Sequence, residues 1–500
     1  MRFFWAVPVA LSWVNATGQN PFTARPEGIA PDSAIQRLEN VRNDGTIHLH
    51  LRPYSPLKDA QLRLKTDSAE SQAQLSVGAI LSGGYAPSVG PIGAAAPMVT
   101  ARIQGLQRFY AEGSYVYWLE EMPGHVERFA DSTGVIPGIG WRQPVGTLSG
   151  AHMAQARIIY SPNKFFEFEA GRGRHFWGDG YRSVLLGDHA APYPYVRINT
   201  RVWRAQLTNV YALMRDVTGV GRYRDSRTKF MSMHALSWNI TRNFNFSFYE
   251  SVVWQSTDTM SVRGFEFNYL NPFVLYRPLE FNQGSADNVL LGASTAWQIT
   301  KEVRAYAQLM LDEFLLKEIR AQRGWWANKF AVQWGLRWHQ LFGLPLHVQT
   351  EWSLSRPFTY THGSPLQGYG HLGQSVAHPL GTNFIEWTTQ GTYHLRGCDI
   401  GFGFTWASFG RDRDGKNWGG NVLGSYANPA RQFFNQIGQG NKHTLHVAHV
   451  SVAFRPLTSL KIRPTIATYY RYDKDDFRTE HDFYINLGFN MPLVPHLRDF

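Results

Sequence analysis

Ile400-Gly401-Phe402-Gly403-Phe404-Thr405-Trp406 carries an apolar side chain at every second position and a small or polar one between. Successive side chains of a strand point to opposite faces, so this stretch has one greasy face and one that water can wet. The same period of two recurs along the chain. Phe166, Phe168 and Ala170 alternate with Glu167, Glu169 and Gly171, and Phe244, Phe246 and Phe248 alternate with Asn245, Ser247 and Tyr249. Val99, Ala101, Ile103 and Gly105 stand against Thr100, Arg102 and Gln104. Trp203, Ala205, Leu207, Asn209, Tyr211 and Leu213 stand against Arg204, Gln206 and Thr208, and Phe483, Ile485, Leu487 and Phe489 close the series. Segments of about nine to eleven residues are long enough to cross a bilayer as tilted strands. Their Arg, Glu, Asn and Gln faces suit a wet lumen better than the dry interior of a sandwich.

Composition agrees. Of 500 residues, 14% are aromatic and only 17% charged, which argues against disorder and against an ordinary cytosolic enzyme. The net charge of +11 (49 − 38) is spread thinly, with no Lys/Arg block of the kind that forms a nucleic-acid arm. It suits an anionic polymer or an anionic lipid surface equally. The single Cys398 excludes an internal disulfide, a cysteine metal cluster and a lipidated N-terminal cysteine. It reads as a small buried or lipid-facing residue. Arg2, the apolar run Phe3 to Val14 and the small residues Ala16 and Gly18 have the layout of an export signal cleaved near residue 18. No later stretch approaches the apolar length of a transmembrane helix, so a membrane crossing must use a closed β-barrel.

The sequence therefore predicts three parts: a signal peptide over 1–18, a plug or periplasmic segment with short helices over 19–72, and an antiparallel transmembrane barrel over 73–500. In the second part Ser33 and Gln36 have capping-box spacing, and Ile35, Leu38 and Val41 recur at intervals of three, which predicts one short amphipathic helix. The barrel is expected to have roughly 16 to 18 strands. Ser161-Pro162-Asn163-Lys164 and Thr241-Arg242-Asn243 read as short turns, and 121–150, 172–198, 355–383 and 408–440 as long loops. Tyr115, Tyr117 and Trp118, and Trp325 with Trp326, are expected near strand ends as interfacial aromatics.

No phosphate loop, zinc-protease motif, nucleophile elbow or zinc-ligand spacing is present, and no cofactor is expected. Gly171-Arg172-Gly173-Arg174 lacks the last glycine of a dinucleotide fingerprint. Asp412, Asp414 and Gly415 read as a solvated turn, because the spacing does not fit a calcium loop. The candidates for binding are dense mixtures of aromatic and charged residues. Arg172, Arg174, His175, Trp177, Asp179, Tyr181 and Arg182 form the first, together with Asp188 and His189. Arg277 and Glu280, Trp325 and Trp326, and Arg356 with Tyr360 and His362 supply the others. Arg pairs anionic groups and Trp or Tyr covers sugar faces, so such residues suit a polysaccharide. The same residues could instead fold inward as a plug whose charges pair with the wall.

The chain resembles the capsule-assembly Wzi family, in particular its branch with the gliding-motility protein RemB. The residues that carry the resemblance are Phe176-Trp177-Gly178-Asp179-Gly180-Tyr181-Arg182-Ser183 through Pro192-Tyr193-Pro194, and Tyr269-Leu270-Asn271-Pro272. Tyr276-Arg277-Pro278-Leu279-Glu280-Phe281, Asp312-Glu313-Phe314 and Gly324-Trp325-Trp326-Ala327-Asn328-Lys329 continue it. His378-Pro379-Leu380-Gly381, Ile35-Gln36-Arg37-Leu38 and Arg52-Pro53-Tyr54-Ser55 complete it, so it spans nearly the whole mature chain. It implies an outer-membrane barrel whose N-terminal portion closes the periplasmic end, and a lectin-like, non-catalytic association with surface polysaccharide. In the gliding branch it implies adhesion and motility instead. Pro492 and Pro495 depart from the pattern by interrupting the final strand ahead of Phe500. The expected partners are outer-membrane lipid or lipopolysaccharide, an acidic surface polysaccharide and other outer-membrane or periplasmic proteins, and no nucleic acid. A passive porin, a structural subunit of a secretion or motility complex, and a Ser/His hydrolase are the alternatives.

Overall fold

Alternation over eighteen segments closes a single antiparallel barrel. The computed structural model describes residues 9–11, 48, 50–52, 72–87, 89–104, 108–256, 264–271, 287–455 and 463–489. The wall strands in chain order are β1 Gln72–Ala86, β2 Gly90–Gln104, β3 Phe109–Glu121, β4 Leu148–Tyr160, β5 Phe166–Gly173 and β6 Tyr193–Val202. They continue as β7 Ala205–Asp216, β8 Arg227–Asn239, β9 Phe244–Gln255, β10 Asn288–Gln298, β11 Val303–Leu311 and β12 Phe330–Trp338. The last six are β13 Leu346–Ser355, β14 Phe384–His394, β15 Cys398–Arg411, β16 Asn441–Phe454, β17 Pro464–Lys474 and β18 Thr479–Phe489. Each pairs with the next, and Ile485–Phe489 of β18 against Tyr85–Leu81 of β1 closes the ring. The barrel therefore reaches the upper end of the expected count. Its strands run from 8 to 15 residues, a wider range than expected. Val9–Leu11, inside the expected leader, pairs in parallel with Ala73–Leu75.

The two faces follow the alternation. Phe166, Phe168, Phe246 and Phe248 are exposed on the outside, while Glu167, Glu169, Asn245 and Ser247 are buried inside. Inner charges are paired across neighbouring strands. Arg157 Nε meets Glu112 Oε1 at 2.6 Å, Arg197 pairs with Glu169, and the Asn199 amide donates to Glu167 at 3.0 Å. A charge inside a poorly hydrated lumen needs such a partner.

One end of the barrel carries short turns, as expected at 161–165 and 240–243, and exposed Phe109, Trp203, Trp238, Phe246 and Trp297 ring it as an interfacial girdle. The long loops leave the other end. Tyr115 and Tyr117 do not join a girdle: they lie on the outer face within β3, each against His152. Trp118 turns inward and is buried. Its contacts there are with helix α1, Gly124–Thr133, whose Val126 and Ala130 pack on Val116, Trp118, Ala151 and Met153. Gly134 ends that helix at φ 70°, and a side chain there would collide with the ring of Trp141.

Val99 and Thr100 test the two faces at neighbouring positions. Val99→Arg, facing lipid, is expected to lower stability by about 2–4 kcal/mol, while Thr100→Arg, facing the lumen, is expected to cost less than about 1 kcal/mol. Urea titrations of folding into lipid vesicles measure both.

Candidate functional site

The loop between β5 and β6 crosses the lumen. Every residue from Gly173 to Tyr193 is buried. Phe176–Trp177 forms a two-residue strand with Leu51–Arg52, so a piece of the N-terminal portion lies inside the barrel with it. The Gly178 N–H donates to the His50 carbonyl at 2.7 Å, and the Arg52 guanidinium donates to the Gly178 and Gly180 carbonyls and lies over the Phe176 ring. Gly178 adopts φ 123°, and a side chain on it would overlap the Gln308 amide.

Charge and hydrogen bonding hold the loop to the opposite wall. Asp179 Oδ1 meets Arg304 of β11 at 2.6 Å, and its Oδ2 meets His50 Nδ1 at 2.7 Å. Its carbonyl accepts from Arg337 of β12 and from Gln349 of β13. The backbone N–H groups of Tyr181 and Arg182 both donate to the Glu351 carboxylate at 2.8 Å. The Arg182 guanidinium meets Glu386 of β14 at 2.6 Å, and His378 meets the other oxygen at 3.0 Å. Three cations (Arg182, Arg304 and Arg337) thus face three carboxylates (Asp179, Glu351 and Glu386) in a buried set. The indole of Trp177 donates to Ser294, the Tyr360 hydroxyl to the Val184 carbonyl at 2.7 Å, and the Tyr369 hydroxyl to the Leu185 carbonyl at 3.0 Å.

The expected binding residues therefore fall into four groups. Arg174, His175, Trp177, Asp179, Tyr181 and Arg182, with Asp188 and His189, are inside and contact the protein itself; Arg174 reaches the Gly138 carbonyl and His175 the Tyr193 hydroxyl. The loop thus takes the inward-folded course, its charges paired with the wall, that was the other expectation for these residues. Arg172 is half-buried at the end of β5, on the outward parity of Phe166 and Phe168. Arg277 and Glu280 lie outside the described residues. Trp325, Trp326 and Arg356 are half-exposed at the loop end, and Tyr360 beside them belongs to the plug.

Trp325 and Trp326 sit on the loop between β11 and β12, not at a strand end. The Trp326 N–H donates to the Gln432 carbonyl, and Phe434 and Asn435 donate back to Arg323 and Gly324. Two long loops are thereby tied together over the mouth. Trp326 packs edge-on against Phe358 and at 5.3 Å from Tyr426, whose ring lies 4.6 Å from the Lys329 ammonium. Arg356 donates to the Trp325 carbonyl, Arg431 covers Trp418 at 5.0 Å, and Arg323 covers Phe433 at 4.7 Å. The result is a half-exposed group of aromatic rings with arginines on them. Asp412 is taken up by the Trp418 and Gly420 N–H groups, the solvated turn expected there.

Sequence reasoning missed Glu351, Glu386, Arg304 and Arg337 as anchors of the loop, and Tyr426, Trp418 and Arg431 at the mouth. The anchors carry a signal, a charge at an inward strand position, but it does not say which loop they hold.

Fold and site together define a single-chain barrel of the outer-membrane type with loops folded into its lumen. No protein-family model and no curated protein sequence matches the chain. Among solved structures it is similar to Wzi of Escherichia coli, described as an outer-membrane protein involved in group 1 capsule assembly and a carbohydrate-binding β-barrel. The identity is 12% and the TM-score 0.55, over 92% of this chain and 98% of that one. OprD of Pseudomonas aeruginosa (10% identity, TM-score 0.42, 84% of this chain and 94% of that) and OpdQ of the same organism (8%, 0.41, 85% and 98%) are also similar. At such identities the likeness to Wzi is one of fold.

Two outcomes follow for the plug. Glu386→Ala leaves the Arg182 guanidinium buried without its carboxylate and is expected to cost about 3–5 kcal/mol, read as a lower urea midpoint and faster amide exchange in 174–192. Burial pushes His189 and His371 down to about 3, assisted by His378 beside the first and Lys229 beside the second; burial and Arg182 hold His378 well below the usual range. All three are neutral when folded, whereas in the unfolded chain they take up protons below about 6.5. The unfolded state then binds more protons, so stability falls as pH drops from about 6.5 toward 3. Asp312, raised to about 6 chiefly by burial, acts in the opposite sense over part of that range. Burial also lowers His175 and His362 of the loops, so the histidines outweigh it and protection of the loop against exchange is expected to decline on acidification.

Proposed function

We propose that this barrel holds acidic surface polysaccharide at the outer face of the outer membrane, without catalysis. The carrying observation is the half-exposed group of Trp325, Trp326, Tyr426, Trp418, Arg356 and Arg431 at the loop end. Indole and phenol faces stack on the C–H faces of sugar rings, and guanidinium groups pair with uronate or pyruvyl carboxylates. The glutamates nearest to it are engaged, Glu318 by Arg323 and Glu313 by Lys329, so the mouth is basic. The plug supports the reading, because a filled lumen provides a rigid base for a binding surface. The fold shared with a carbohydrate-binding barrel is in keeping with it. Export by the N-terminal leader and residence among outer-leaflet lipids belong to the same reading. A stack of this kind tolerates many sugars, so the polymer's charge and spacing would set selectivity.

Purified protein in detergent, titrated with capsular polysaccharide of its host at low and high salt, tests this. Saturable binding that weakens with salt is expected, and Trp326→Ala and Arg356→Ala are each expected to weaken it by about five- to tenfold. Flat titrations at both salts would overturn it and favour a structural subunit of an adhesion or gliding complex.

A further inference from the structure

The outer wall carries a second organised surface. The register places Trp334, Trp352, Trp387, Trp406, His446, Tyr472 and His481 directly opposite one another on the seven consecutive strands β12 to β18. All occupy outward positions; the residues flanking them in sequence, such as Gln333, Glu351 and Glu386, point inward and are buried. Trp334 and Trp352 stack at 6.5 Å, Trp352 and Trp387 at 5.9 Å, and Tyr472 meets His446 and His481 at 5.6 and 5.0 Å.

A row along the hydrogen-bonding direction climbs a tilted sheet by about 3 Å per strand, so six steps rise by about 18 Å. Strand positions agree. Trp334 lies at the midpoint of β12, four residues from either end, whereas Tyr472 and His481 lie two residues from the loop ends of β17 and β18. The ramp therefore starts inside the apolar band and ends at the outer rim. Tryptophans of a barrel normally form level girdles at the two interfaces. Among the described residues, Trp387 donates its indole N–H to Thr350, while those of Trp334, Trp352 and Trp406 find no acceptor. An N–H facing pure hydrocarbon is costly, so something with oxygen atoms suits this face better than alkyl chains alone.

At the top of the ramp Lys442 and Lys474 are exposed on the outward parity of His446 and Tyr472, and neither forms an ion pair among the described residues. The acids of the neighbouring turn are engaged, Asp475 by Arg478 and Asp476 by Arg413. No outward position of β12 to β18 carries Asp or Glu; Glu351, Glu386, Asp399, Asp473 and Asp482 all face the lumen.

We infer that the outer face of β12 to β18 binds a phosphorylated, multiply acylated glycolipid of the outer leaflet. Its phosphates meet Lys442 and Lys474, its ester and hydroxyl oxygens accept from the indoles, and its acyl chains lie along the tryptophan faces. The site is separate from the mouth and does not depend on polysaccharide binding.

Native mass spectrometry of the full-length protein in detergent, incubated with diphosphoryl lipid A or with phosphatidylglycerol, reads it directly. Retention of one lipid A molecule in preference to phosphatidylglycerol is expected. Lys442→Gln with Lys474→Gln should reduce that retention by about tenfold, while Lys301→Gln at the short-turn end leaves it unchanged. Heat-modifiable gel mobility identifies the folded variants, and these exposed positions leave the wall intact. Equal retention of both lipids, full retention by the double variant, or a second protein copy in place of the lipid would overturn the inference.

Discussion

Asp179 sits in the middle of the barrel, where Arg304 and His50 reach its carboxylate from two different parts of the chain. An isolated carboxylate in that position would cost more than the fold could supply. Its partners explain much of the interior. Arg304 belongs to the far wall, so the β5–β6 loop must cross the lumen. His50 belongs to the N-terminal portion, so that portion must enter the barrel. Gly178 follows from the same contact, because the backbone has to turn closely past Gln308 to present Asp179.

From this crossing the rest is built outward. Glu351 and Glu386 accept from the next residues of the loop, and Tyr360 and Tyr369 bring down a second loop to cover it. The loops left outside then join one another through the Gln432–Trp326 and Arg323–Phe434 backbone pairs, giving a mouth with fixed aromatic faces. A flexible mouth would lose conformational entropy whenever a polymer bound; one already tied together loses less.

The fold was largely legible because period-two alternation is a local property. Phe166 to Ala170 and Ile400 to Trp406 show it without any knowledge of their neighbours. The site was legible only as a set of residue types. Arg182, Trp177 and Tyr181 have the chemistry of a sugar site and equally that of a plug, and their contacts with Glu386, Ser294 and Glu351 join positions too far apart in the chain for any local pattern to show. Trp334, Trp352, Trp387 and Trp406 are separated by 18, 35 and 19 positions, so no sequence period reveals the row that register creates. Tyr115 and Trp118 show the same limit: nearness in sequence suggested a girdle, while strand parity sent one outward and the other into the core.

With the loop of Asp179 and Arg182 folded across it, the lumen is expected to be closed, leaving the barrel as a base for a binding surface. Single-channel recording in planar bilayers at neutral pH tests it most directly, with the intact protein beside a variant in which a short linker replaces 174–192. The intact protein should be silent and the variant should conduct steadily. Steady, porin-sized conductance from the intact protein would contradict it.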